Sequence, residues 1–595
     1  MQRTWPDLLK SVNEWARSKP FVCLVVHFFK RFFSGDALST ESDLRLGIGG
    51  ILALLAVPGA VLPILLFPKY SSLFHWMMGI RHFDLYTASI PDKYMLLTFT
   101  MAVTGIVAVI KWDALFPDRL DYATLAPLPV GARNIFLAKF IALMFFLGLF
   151  VFALNAVSSF LFPFIVTGNE TSGAVWLRFV IAHAVATVSG SFFMFFFFFA
   201  LMGLLMTLLP HRRFRRISTA VQFVLVIALV MLLLFTPEIG SLTASASPRT
   251  RALLEWLPTM WFLGLYQQIS GHADSGMLAL AARALEGLAI AFIMSLLFYV
   301  ASYARYFRRV PEILESGSRS SGPQKNPADG KLHRLAARCF ARLPLSGAFE
   351  RACFIFTVKT LARSQRHRLF LAGFAGLGMA IAIQDLASDW GGASSAASHL
   401  PVVMLLSAPL AISFSLLTGL RFVFNMPAEL RANWAFRMIP EDKCIHARRV
   451  AKVLMLSFLA PVIIATFVTF SAIWGARIGV VHAVFVLVAS LLLADALLVA
   501  FRKIPFACSY ATGKHHVGIA LMLYFLLFLF FSSGLASVEY AALAASSVIT
   551  FITLATFAAV CWLGLHYYET KFTTNEEALI FEDEPDAVVP SMDLR

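Results

Sequence analysis

Twelve long apolar runs, parted by shorter polar segments, restrict what this sequence can fold into more than any other feature. They lie at about Leu46–Phe67, Tyr94–Ile110, Phe140–Val166, Phe179–Leu209, Ile217–Phe235 and Met277–Val300, then Leu369–Ile383, Pro401–Val423, Val450–Trp474, Val480–Phe501, Val517–Phe531 and Ala541–Leu565. A bilayer core about 30 Å thick needs roughly 20 apolar residues per helix, and it offers no water to satisfy an open backbone. The alternating pattern of a membrane barrel is absent, so the runs read as helices. A hydrophobic share of 59% and a mean hydropathy of +0.77 exceed what the remaining polar side chains could cover in water. The expected fold is all-α: a polytopic membrane protein of about 12 transmembrane helices.

The formal net charge of +15 does not point to nucleic acid, because Lys and Arg gather beside the ends of the apolar runs. HRRFRR (211–216), RYFRR (305–309), the 305–368 stretch, Arg431 to Arg449 and Arg502 to His516 all fall on one side. The opposite loops are poor in basic residues, with Arg477 alone between the ninth and tenth runs. The positive-inside rule then puts both termini in the cytoplasm, and the lipid bilayer is the first partner. Residues 1–20 lack the apolar core of a secretory signal, so the N-terminus is expected to be retained. The six cysteines form no CxxC pair, which indicates neither a disulfide framework nor a zinc site.

The runs divide into two sets of six. Residues 1–43 read as a cytoplasmic N-terminus with an in-plane helix over Phe21–Phe33, too short to span. Residues 44–304 form a first six-helix module, 305–368 a basic cytoplasmic linker with a second interfacial helix, 369–568 a second module, and 569–595 an acidic cytoplasmic tail. The modules are tandem repeats in the same orientation. Arg178-Phe-Val-Ile-Ala-His183-Ala-Val, entering the fourth run, is echoed by Arg477-Ile-Gly-Val-Val-His482-Ala-Val, entering the tenth. Lys30 in HFFKRFF is echoed by Lys359 in FTVKTLA.

The polar turn Trp112–Lys139, WDALFPDRLDYATLAPLPVGARNIFLAK, also returns, as NMPAELRANWAFRMIPEDKCIHARRVAK over Asn425–Lys452. Pro117 stops the second run, and Pro127 with Pro129 bracket a turn before the third. Between them a short surface helix presents Asp118, Arg119 and Asp121 to water and Leu120, Tyr122 and Leu125 to a partner's groove. An ordinary connecting loop is the plainer alternative, and recurrence favours docking.

An interfacial helix, six spans and a turn of this form resemble the permease subunits of type 2 ABC exporters. In that family the turn is a coupling helix seated in a cleft of the ATPase. The resemblance implies that Arg119, Leu120, Tyr122, Leu125, Pro127, Pro129 and Val130 form a first coupling segment, and Glu429, Leu430, Trp434, Ile439 and Pro440 a second. The second copy reads Met438-Ile439-Pro440-Glu441 and lacks the Pro-Leu-Pro pattern. The chain has no phosphate-cradling Gly-x-x-x-x-Gly-Lys-Ser/Thr loop. It is therefore expected to bind no cofactor itself, with ATP and Mg held by cytoplasmic ABC ATPase subunits. The implied location is the cell membrane, in a bacterium the inner membrane. Alternatives are an ion- or proton-coupled secondary transporter and a membrane scaffold without a transport cycle.

Ionisable residues inside apolar runs are candidates for a pathway, because a central charge costs roughly 2.5–3.5 kcal/mol on insertion scales. They are Arg178, His183, Glu286, Arg477, His482 and Asp495. Arg283, one turn before Glu286, is placed to pair with it. Asp495 near the inner end of its run reaches toward the headgroups. The Arg–His pairs suit interfacial anchoring, with contact to an anionic headgroup or an exit lining as alternatives. Trp256, Trp261 and Tyr266 suit an interfacial aromatic belt, and Phe192–Phe199 a packing and lipid-facing surface. The first half has room for short helices between its fifth and sixth runs; the second half, with only SSGLASVEY, does not. No catalytic constellation is visible.

Overall fold

The computed structural model describes residues 19–33, 41–71, 85–112, 131–167, 172–245, 252–307, 345, 347–390, 401–426, 436, 438, 444–499, 501–507, 517–545 and 548–573. Among them every regular element is a helix, and the protein is an all-α, multi-pass membrane protein. Eleven helices are long and apolar enough to cross a bilayer. A further helix of 30 residues covers the first apolar run.

The chain divides into two compact units: Met1–Leu225 with Phe235–Pro323, and Val226–Leu234 with Gln324–Arg595. One boundary falls between 323 and 324. The other crosses the fifth span, which the sequence had assigned whole to the first module.

In the first unit the helices are α1 (Pro20–Phe33), α2 (Glu41–Tyr70), α3 (Ile90–Lys111), α4 (Ala132–Thr167), α5 (Gly173–Leu208), α6 (His211–Leu234, whose Val226–Leu234 portion belongs to the second unit), α7 (Thr236–Ser245), α8 (Pro258–Ser270) and α9 (Ser275–Phe307). Helix α1 packs on α4, as does α2, while α3, α8 and α9 gather on α5. Along α4, Phe145, Phe152, Phe160 and Phe164 recur at helical spacing and stay exposed, whereas Asn155, Ser158 and Ser159 are buried. Apolar residues outward and small polar ones inward is the inversion that a lipid solvent favours. Phe192–Phe199 is mostly buried: Phe193 meets Trp261 and Phe262, Phe196 meets Phe292, and Phe199 meets Tyr299.

The segment between the fifth and sixth spans does hold short helices, α7 and α8. Pro258 opens α8 with its φ already helical, and Gly271, at φ +85°, closes it. Gly264 lets α8 lie directly on α9, since an added Cβ would come within 2.6 Å of the Met277 carbonyl oxygen.

The second unit has α10 (Ala348–Arg363), α11 (Gln365–Trp390), α12 (Val403–Val423), α13 (Cys444–Trp474), α14 (Ala476–Leu498), α15 (Val517–Leu529), α16 (Leu535–Ala545) and α17 (Val548–Thr573). Helix α12 packs on α11, α13, α14 and α16, and Leu417, Leu420, Phe424, Val486 and Leu498 fill the core they share. A five-residue π-turn, Phe530–Gly534, joins α15 to α16 without a loop. The sequence had read SSGLASVEY as a connection with no room for a short helix. It is helical because a π-turn keeps the backbone hydrogen-bonded while rotating the face that follows.

Candidate functional site

The site with the most ionisable chemistry lies in the first unit, where α3 begins. Asp92 and Lys93 occupy its first turn. Asp92 accepts from Lys69 Nζ at 2.6 Å and from the Tyr70 hydroxyl, which ties the end of α2 to the start of α3. A carboxylate in this position also suits the helix dipole.

Lys93 is completely buried. Its Nζ lies 3.4 Å from Gln267 Oε1, and that same oxygen accepts from Ser270 Oγ at 3.3 Å. The rings of Phe179 and Tyr266 stand 4.9 and 5.0 Å from the ammonium, measured to their centroids, within range of a cation–π attraction. Tyr266 is fully buried, its hydroxyl has no hydrogen-bond partner among the described residues, and burial pushes its phenol well above the ordinary value. His183 stands edge-on to Tyr266 at 5.7 Å and tilted against Phe162 at 5.4 Å. It too is fully buried, with neither ring nitrogen hydrogen-bonded among the described residues. Arg178, exposed one turn earlier on α5, donates from Nε to the Ile269 carbonyl at 2.8 Å, and its guanidinium covers Gly271.

The repeat-related histidine of the second unit has a different neighbour. Gly475, at φ +92° and ψ 158°, is the single residue between α13 and α14. Gly479 then rests on the backbone of Ser471, where a Cβ would meet Ser471 N at 2.8 Å. This tight hairpin lays His482 against Phe470, with 4.2 Å between ring centroids. His482 Nδ1 lies 2.9 Å from both carboxylate oxygens of Glu539, and both side chains are fully buried. Glu539 reaches it because the π-turn continues the helix through the expected loop.

A third arrangement is shared by the units. Each amphipathic helix ahead of the first span is fastened to the start of the third-span helix. In the first unit Lys139 Nζ sits 5.4 Å from the centroid of the buried Phe28 ring of α1. In the second, the buried carboxylate of Glu350 on α10 meets His446 Nδ1 at 2.8 Å and Arg449 Nη1 at 3.1 Å. Phe356 of α10 also meets Phe436, edge to face at 5.1 Å. Phe436 lies within the turn that the sequence matched to a coupling segment.

The pathway candidates separate into pairs and singles. His183 and His482 are buried, so neither anchors at an interface; of each Arg–His pair it is the arginine, Arg178 or Arg477, that is exposed. Asp495 pairs with Lys452 at 2.5 Å instead of extending to headgroups. Arg283 pairs with Glu255 at 3.5 Å and leaves Glu286 exposed. Tyr266 belongs to the Lys93 cluster and not to an aromatic belt, whereas Trp256 is exposed. Arg119, Leu120, Tyr122, Leu125, Pro127, Pro129 and Val130 lie outside the described residues, as do Glu429, Leu430, Trp434, Ile439 and Pro440.

Sequence reasoning missed Lys93, Gln267, Glu350 and Glu539. The available signal for Lys93 was its place in PDKYMLLTF, one residue ahead of an apolar run. No family model matches the chain, and neither a curated protein nor a solved structure matches it. What the sequence and the fold together establish is a multi-pass, all-helical membrane protein.

Proposed function

We propose that this chain is the membrane-spanning permease of an ABC exporter, working with separate cytoplasmic ATPase subunits that hold ATP and Mg. Both termini face the cytoplasm in this reading, and in a bacterial host the chain sits in the inner membrane. The observation that carries it is the fastening of α1 to α4 and of α10 to α13, just beyond the two turns matched to coupling segments. A push on either turn enters the third-span helix and its amphipathic helix together. Such a joint suits rocking of a rigid unit better than bending of one helix. The Phe356–Phe436 contact gives the second turn the same connection.

The test is affinity purification of the tagged protein from native membranes in mild detergent, with mass spectrometry of what accompanies it. Wild type is expected to carry an ATPase subunit. A variant with Leu120→Asp, Tyr122→Asp and Leu125→Asp is expected to lose it while keeping its gel-filtration profile. Absence of any ATPase, under conditions that preserve a known ABC complex, removes the permease reading.

A further inference from the structure

We propose that the buried cluster around Lys93 is a binding site for an oxyanion, a phosphate or carboxylate carried on a small or amphiphilic molecule. As a binding site the cluster stands on its own geometry; as the place that receives the exporter's cargo it rests on the reading above.

The first argument is charge. Lys93 sits in the first turn of α3, where the helix dipole opposes a cation, and it is completely buried. A buried ammonium needs a counter-charge. The adjacent carboxylate, Asp92, is shared with Lys69 and Tyr70, so it offsets the Lys93 charge only in part. Across Lys69, Asp92 and Lys93 one positive charge remains in excess.

The second argument is hydrogen bonding. An ammonium has three donors, and the acceptor facing Lys93 is Gln267 Oε1 at a long 3.4 Å. Beside it, the Tyr266 hydroxyl and both nitrogens of His183 are buried without partners among the described residues. Buried polar groups are normally satisfied, and several unsatisfied ones side by side mark a place shaped for something else. An oxyanion accepts from an ammonium, a phenol and an imidazole N–H together, which no neutral apolar molecule does.

The third argument is the approach. Phe179, whose ring faces Lys93, directly follows Arg178, and the Arg178 guanidinium is exposed at the rim over Gly271. An exposed cation and the ring against the buried one thus occupy consecutive positions on α5. Phe179, Tyr266 and Phe162 supply apolar surface suited to the organic part of such a molecule.

The test uses full-length protein in a neutral detergent at fixed ionic strength and reads the thermal unfolding midpoint by tryptophan fluorescence. Inorganic phosphate, hexanoate and dihexanoyl phosphatidic acid are titrated separately, with dihexanoyl phosphatidylcholine as the zwitterionic control. A saturable rise with at least one of the anionic probes, and none with the control, is expected. Phosphatidic acid acting alone identifies a lipid headgroup; inorganic phosphate or hexanoate acting as well identifies a free oxyanion. Lys93→Met, which keeps the chain length between the rings, is expected to abolish the rise. Tyr266→Phe removes one hydroxyl from a packed ring and is expected to move the titration to about tenfold higher concentration. The proposal is overturned if wild type shows no saturable rise with any of the three, or if Tyr266→Phe responds like wild type. A chain that binds the oxyanion but purifies without an ATPase keeps this site and loses the permease reading.

Discussion

At the scale of residues, burial decides which polar groups can react. Cys353 is fully buried in α10, one turn after Glu350, and burial, with the Glu350 charge as the second cause, pushes its thiol up to about 12. Cys23 on α1 is exposed. Thiolate is the reactive form, so a maleimide at pH 8 is expected to modify Cys23 and spare Cys353 in the folded protein. Peptide mass mapping before and after denaturation checks this, and Cys353 should label once unfolded. Glu350 illustrates the opposite side of the same rule. It is tolerated at full burial because His446 and Arg449 both reach it, and removing either partner from a buried carboxylate is costly.

Elements turn on a few backbone positions. The α13–α14 hairpin is a single residue long, and Gly475 holds φ and ψ values that side-chain-bearing residues rarely adopt. Gly475→Ala is expected to cost about 1–3 kcal/mol and to lower the thermal midpoint measured by circular dichroism. The same change at Gly148, where an added Cβ meets nothing within 4 Å, is the control and should be nearly silent. Elements also set the limit of what the sequence discloses. The spans were legible because twenty-residue apolar runs admit few other folds, and α1 because its apolar residues recur on one face of a run too short to span. The buried histidines were flagged by repetition, but their partners were not. Glu539 was hidden because Ser532, Ser533 and Gly534 look like turn residues, and a π-turn leaves no compositional mark. Lys93 was hidden because a lysine beside an apolar run ordinarily reaches water. Its burial depends on α8, which arrives from 174 residues away in sequence to set Gln267 over it.

For the whole molecule, the number and sense of the spans fix which side each end occupies. Among the described residues, eleven spanning candidates and α2 make an even set, and the positive-inside rule assigns the basic segments to one side. Both termini are therefore expected on the same, cytoplasmic face. Fusions of a periplasmic-active phosphatase to either terminus should be inactive in a bacterial host, and a green fluorescent protein fused to either should fluoresce. Opposite behaviour at the two ends would require an odd number of crossings.

The two buried histidines bear on how such a chain changes over time. His183 and His482 hold the same position in the two sequence motifs, yet one faces a phenol beside a lysine and the other a carboxylate. Were each unit the product of its own gene and paired with an identical copy, every substitution would appear twice, and a neighbourhood could never differ between the halves. Joined in one reading frame, the halves inherit separately. One can acquire a positive lining while the other acquires a negative one, and a mutation in either is tested by selection against a partner that stays as it was.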